Sequence, residues 1–275
     1  MTEKKQPLRL VDILTPRDRQ RIPVGKYVDR WPIQRRNDGR WIYGRLYDER
    51  AINYVAALAK ERIAHKHDCI ILMTGERGKG KSTLAIEVNQ AVGEGLTLED
   101  ITFQITDFFG CLDKAPFANV EKGIFPRIIP DESGISFYAK KWNTALQQKG
   151  VMILEAIRMK GIIITFCAPH SRKINIDIRE EMAYIWINID PPEYLKEDRG
   201  YAVVRTGTRD IFKQSIWWFP AFAFFFPELK GPFWESYESK KKTFIDQITA
   251  GEVTKSPTNL PIPTDFRQNT PILSS

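Results

Sequence analysis

Ile70-Ile71-Leu72-Met73-Thr74, followed by Gly75-Glu76-Arg77-Gly78-Lys79-Gly80-Lys81-Ser82, joins an apolar run to a glycine-rich, lysine-bearing loop. The loop has the form G-x-x-x-x-G-K-[ST], the P-loop pattern that binds nucleotide phosphates. Its residue types follow from that task. Glycines let backbone N–H groups wrap a triphosphate, Lys81 reaches the β- and γ-phosphates, and the Ser82 hydroxyl holds Mg²⁺. The candidate ATP-binding residues are this loop and the residue after it, Thr83. A helix is expected over residues 82–92, with Leu84, Val88, Ala91 and Val92 on one face and its positive end toward the anion. A glycine-rich surface turn would need neither the strand before it nor the helix after it.

About fifty residues on, Arg127-Ile128-Ile129-Pro130-Asp131-Glu132 reads as a strand ending in two carboxylates, a Walker B element. Asp131 is the candidate second metal ligand beside Ser82, and Glu132 the base that polarises the attacking water. A solvated turn is the bland alternative. Pro130 removes an N–H from the ladder and marks the strand's end. Residues 161–167 form a continuous apolar run, the mark of a strand buried on both faces. Kinases and GTPases tend to place the Walker B strand beside the P-loop strand, whereas ATPases with a catalytic glutamate insert another strand between them. Residues 161–167 are expected to be that inserted strand. Its tip offers His170 and Ser171 as a sensor of the γ-phosphate, though His170 reads equally well as a satisfied loop residue. Arg158, Arg172 and Arg179 are the candidates for an arginine finger, Arg158 first, against the default of a solvated surface arginine.

The chain has 275 residues, 43% of them hydrophobic, enough to bury one sizeable core. Alternation of strands and helices argues for an α/β fold, a three-layer sandwich on a mainly parallel, doubly wound sheet. Residues 1–47 are expected to form a basic arm and a hairpin turning at Asn37-Asp38-Gly39, and residues 48–192 the ATPase core. A helix over about 49–66 would bury Ile52, Val55, Ala59 and Ile63. Residues 101–105 read as a strand, with Thr106 or Asp107 capping a helix, and 135–148 and 151–159 as helical. Residues 183–189 read as another strand. Residues 193–250 are expected to be an aromatic, strand-rich extension, with a hairpin turning at Gly207 and a basic helix over about 235–248. Residues 251–275 are expected to be disordered.

Cys69, Cys111 and Cys167 are an odd set at apolar positions, which fits a reducing cytoplasm. No Cys/His spacing predicts zinc, and the polar start does not read as a signal peptide. Residues 216–226 are strongly apolar but too short to span a bilayer, so they predict a buried strand pair or a surface for a protein partner. The charge is uneven. Residues 1–45 hold twelve Lys/Arg against five Asp/Glu, an excess equal to the +7 of the whole chain. There Arg30, Trp31, Arg35, Arg36, Arg40, Trp41, Tyr43 and Arg45 alternate cations with rings. That pattern can grip phosphates and stack on bases, or simply pack as a hairpin with solvated arginines.

Gly75–Ser82, the Asp131-Glu132 pair, Arg158 ahead of an apolar strand and Ile176-Asp177-Ile178-Arg179 together resemble the FtsK–HerA superfamily over about residues 68–190. The similarity is greatest to its compact zonula occludens toxin-like members from phages, archaeal viruses and plasmids. That resemblance implies an oligomeric, Mg²⁺-dependent ATPase that handles DNA in packaging, transfer or replication, with Arg158 acting across a subunit interface. The chain departs from it at the sensor tip, where Pro169-His170 stands in place of Thr-Gln, and in having no predicted membrane helix after the core. Three rivals stay open: a helicase-loader-like or AAA+-like ATPase that remodels a protein, a small-molecule kinase, and a nucleotide-dependent interaction module. A lid of short helices after the last core strand would favour the first, an acceptor pocket the second.

Overall fold

The central apolar run is covered on both sides. Cys69, Ile71 and Met73 face one layer, Ile70 and Leu72 the other, and all five are fully buried. The computed structural model describes residues 27–35, 40–47, 51–131, 154, 157–189, 200–209 and 216–250. Its strands are β1 (Tyr27–Arg35), β2 (Trp41–Tyr47), β3 (Cys69–Gly75), β4 (Ile101–Thr102), β5 (Arg127–Pro130), β6 (Ile163–Ala168), β7 (Ala183–Ile189), β8 (Tyr201–Arg209) and β9 (Ile216–Phe225). Its α-helices are α1 (Ala51–Ala64), α2 (Lys81–Val92), α3 (Ile105–Lys114) and α4 (Pro232–Thr249).

The strands make one sheet in the order β1-β2-β9-β8-β7-β3-β6-β5-β4. Pairing is parallel from β7 through β3, β6 and β5 to β4, and again between β2 and β9. It is antiparallel at β1/β2, β7/β8 and β8/β9. Helices α1, α2 and α4 share a core with one face, and α3 packs on the other through Phe108 and Leu112. This is the expected three-layer α/β sandwich. As expected too, β6 lies between β3 and β5. The hairpin strands β1 and β2 and the aromatic strands β8 and β9 extend the same sheet as the P-loop strand.

Helix α1 buries the predicted stripe of Ile52, Val55, Ala59 and Ile63, together with Ala51 and Ala56. Helix α2 is buried round most of its girth, because the sheet and α1 cover it from two sides. Three boundaries differ from expectation. Strand β4 stops at Thr102, and Gln104, not Thr106 or Asp107, precedes α3. The edge ladder reaches only Pro130, and Phe103 leaves it to stack on Phe244 of α4 at 4.9 Å. Gly207 is not a turn. It sits within β8 opposite Trp218, where a Cβ would lie 2.3 Å from Ile216 Cγ2, so glycine makes room for the partner strand's side chains. Helix α4 runs three residues further back than expected, opening with Pro232 in its first turn. The expected helix over 135–148, residues 151–153 and 155–156 of that over 151–159, and the arm and tail at residues 1–26 and 251–275 lie outside the described residues. No described helix is long and apolar enough to cross a membrane.

Candidate nucleotide site

Parallel pairing brings the carboxyl ends of β3, β6 and β7 to one edge, with Thr74 opposite Ala168 and Asn188. From β3 the chain passes through α2 to β4 on one side, while β7 flanks the other. A crevice at such a switch point is where open α/β sheets bind ligands. Thr74 Oγ1 donates to Asn188 Oδ1 at 2.9 Å and accepts from Trp186 Nε1 at 2.7 Å, pinning β3 to β7 directly beneath the loop. Gly75 (φ 151°) runs so close to β7 that a Cβ would lie 2.1 Å from the Ile189 carbonyl oxygen. Gly78 (φ 74°) and Gly80 (φ 92°) are left-handed. Glu76, Arg77 and Gly78 are exposed at the loop's crest, Lys79, Gly80 and Lys81 are half-buried, and Thr83 is buried in α2. Lys81 Nζ donates to the Glu76 carbonyl at 2.7 Å, so the lysine lies back along its own loop.

Asp131 follows β5 directly, 3% exposed, with its N–H donating to the Thr102 carbonyl at 2.8 Å. Ser82 Oγ, at the start of α2, lies 3.1 and 3.0 Å from the two Asp131 carboxylate oxygens. The two metal-ligand candidates, forty-nine residues apart in sequence, therefore meet. A hydroxyl and a carboxylate are the hard oxygen donors that Mg²⁺ takes, usually one or two carboxylates completed by substrate phosphates. The pair also accepts positive charge in this structure. The Lys241 ammonium stands 3.0 Å from Asp131 Oδ2 and 3.4 Å from Ser82 Oγ. The residues present thus fit a divalent cation. No three His, Cys, Asp or Glu side chains cluster among the described residues.

Two side chains of α4 complete the site, and neither is a candidate from the sequence. The Tyr237 hydroxyl donates to Asp131 Oδ2 at 2.5 Å and accepts from Lys241 Nζ at 3.1 Å. Burial, and then the neighbouring Asp131 charge, push the Tyr237 phenol well above its ordinary range, so it stays a neutral donor. The i, i+4 spacing of Tyr237 and Lys241 was visible as a shared helix face. Nothing local in sequence tells which surface that face meets.

The framework behind the site is polar. Arg127 opens β5 and donates from Nη1 to the carbonyls of Asn89 at 2.8 Å and Gly93 at 2.5 Å, and from Nη2 to that of Glu94. It closes the carboxyl end of α2, where carbonyls lack helical partners and a cation is favoured. Burial lowers its pKa from the usual arginine range. Asn89 Nδ2 donates to Thr165 Oγ1 at 2.9 Å, tying α2 to β6.

Among the described residues, the other candidates do not join this cluster. Glu132 lies outside the described residues. Arg158 falls in the turn Ile157–Lys160, with its side chain likewise outside them. That turn precedes β6, at the opposite edge of the sheet from Gly75, about 20 Å away by the length of the strand. Arg158 is therefore not brought to the P-loop of its own chain. His170 is exposed two residues past β6, on the same edge as Gly75, ahead of the turn Ser171–Lys173. Arg172 is exposed, and Arg179 pairs with Glu180 at 2.5 Å.

Sheet order, loop geometry and the Ser82–Asp131 meeting define a P-loop NTPase-like fold. No family model and no curated protein matches the chain. Among solved structures it is similar to the genome packaging NTPase B204 from Sulfolobus turreted icosahedral virus 2, in complexes with ATP-gammaS and with AMPPCP. Identity is 16% and 15%, the match covers 57% of this chain and 98% of that one, and the TM-score is 0.32 in both.

Proposed function

We propose that the chain is a Mg²⁺-dependent ATPase that spends ATP hydrolysis on handling DNA, as an oligomer, in packaging, transfer or replication of a mobile element. The observation that carries the ATPase reading is the convergence of Ser82 and Asp131 at the mouth of the Gly75–Lys81 loop. Lys81 would leave the Glu76 carbonyl for the β- and γ-phosphates, at little cost because both partners are solvent-accessible. Ser82 and Asp131 would hold Mg²⁺, which when bound neutralises phosphate charge and polarises the transferred group. Glu132 would orient the attacking water and take its proton. His170, on the same edge, would sense the γ-phosphate. Arg158, remote from its own P-loop, would serve a neighbouring subunit's site.

The DNA part rests on the basic, ring-bearing amino-terminal sequence and on the family resemblance. A second reading, a remodeller of a protein partner, is favoured by the exposed Trp217 and Phe219 of β9, each about half accessible at 51% and 52%.

Two variants test the site. Lys81→Ala should abolish tight ATP binding, and unchanged affinity by calorimetry would remove the assignment. Glu132→Gln should bind ATP as the parent does yet turn it over at least about a hundredfold more slowly, the usual scale for losing a general base. Turnover at the parental rate would put the base elsewhere.

A further inference from the structure

A divalent cation and the Lys241 ammonium need the same two oxygen-bearing side chains. Nζ lies 3.0 Å from Asp131 Oδ2 and 3.4 Å from Ser82 Oγ, with the lysine side chain 20% exposed over a carboxylate that is 3% exposed. Mg²⁺ coordinates such oxygens at about 2.1 Å, so a cation held by Asp131 and Ser82 would stand within a few ångströms of the ammonium. Like charges that close in a water-poor pocket repel strongly. Helix α4 carries the lysine there on a slender mooring. Of its eighteen residues only Tyr237 and Phe244 are buried. Phe244 stacks on Phe103, Trp234 packs on Tyr237 at 4.9 Å, and Lys240 donates to the carbonyls of Leu98 and Ile101 at 2.6 Å.

We propose that Lys241 is a built-in cation that holds the Ser82–Asp131 pair, and that metal–nucleotide binding must expel it. Helix α4 is thereby a latch whose seating depends on whether the site is loaded. Tyr237 orients Asp131 in the latched state, keeping one carboxylate oxygen engaged from the helix side while Ser82 bridges both. This rests on the nucleotide-site reading above and adds a regulator to it. The consequence is a competition. Apparent cation affinity is lowered by the fraction of molecules in which the ammonium is seated.

The test uses the full chain with ATP-gammaS and Mn²⁺ as a paramagnetic probe for the divalent cation. Free Mn²⁺, followed by electron paramagnetic resonance at saturating nucleotide, gives the cation Kd. Lys241→Met should tighten it about tenfold, the factor removed when a competent state populated at about one in ten becomes dominant. Lys242→Met, an exposed lysine one residue along the same helix, should leave it unchanged. Equal affinities in parent and Lys241→Met, or an equal gain in Lys242→Met, would overturn the competition. Amine acylation of the unmutated protein, read by mass spectrometry, supplies an independent measure. Lys241 labelling should rise about fivefold with Mg²⁺ and ATP-gammaS together, and not with ATP-gammaS in EDTA. A flat or falling rate counts against the latch. Binding of ATP-gammaS in EDTA separates the two claims. If the parent binds and the Lys241 readouts stay flat, only the latch fails; if it binds no nucleotide with or without metal, the site reading fails and the latch with it.

Discussion

Gly75 shows how narrowly one residue of the loop is fixed. A methyl group there would meet the Ile189 carbonyl at 2.1 Å and its carbon at 2.8 Å, both backbone atoms of β7 that cannot turn aside. At Gly78 a methyl group meets nothing within 4 Å, and only the left-handed φ of 74° opposes it. The two alanine substitutions should therefore separate. Gly78→Ala should cost about 1 kcal/mol, the left-handed penalty of an L-residue. Gly75→Ala should cost about 2–4 kcal/mol, because strain at φ 151° adds to a backbone collision. Urea unfolding of the two variants checks the order, and equal losses would mean that β7 gives way. The motif pattern specifies Gly75, while Gly78 falls at one of its open positions. It did not reveal the collision that fixes Gly75, because Ile189 is more than a hundred residues away.

At the scale of elements, the sequence was most informative where burial has a period. The stripe of α1, the two-sided burial of β3 and β6, and the inserted place of β6 followed from spacing and apolar runs. What stayed hidden was the pairing of polar groups across elements. Arg127 was read as the first residue of a Walker B strand, and its work is to close α2 through carbonyls thirty-three to thirty-eight residues earlier. Helix α4 was legible as a basic helix. Its seat on Asp131 was not, since Tyr237 lies 106 residues away and no local rule specifies a docking surface. Gly207 misled for a related reason: its glycine answers to Ile216 on the next strand rather than to its own backbone. The Arg127 cap gives a measurable consequence. Arg127→Met should lower stability by about 1–3 kcal/mol, since the buried Asn89 carbonyl and the half-buried Gly93 and Glu94 carbonyls lose a charged donor. Chemical denaturation should show that loss with ATP affinity reduced far less than in Lys81→Ala. A cost under about 0.5 kcal/mol, the scale of an ordinary surface substitution, would show that water satisfies those carbonyls equally well.

Across the whole molecule, the β1–β2 strand pair and the P-loop sit at different places on one sheet. Five strand spacings separate β1 from β3, about 24 Å at the usual interval between strands. Phosphate contacts made on β1 and β2 would therefore lie well away from the P-loop. Stimulation of turnover would have to pass through the sheet or through a neighbouring subunit. Binding and stimulation are thus separable measurements. If the amino-terminal excess of positive charge holds DNA, affinity should fall steeply with salt, with a log–log slope of about −3.6 or steeper for four or more phosphates neutralised. Replacing Arg30, Arg35, Arg36 and Arg40 with Gln should flatten that slope by about 0.9 for each arginine that touches a phosphate, and leave ATP affinity unchanged. Fluorescence anisotropy of a labelled duplex between low and high salt reads the slope, and calorimetry reads the ATP site. A slope near zero in the parent protein would remove DNA as the load. The exposed Trp217 and Phe219 of β9 would then become the better guide, because an apolar patch on the same sheet fits a protein partner and binds with little dependence on salt.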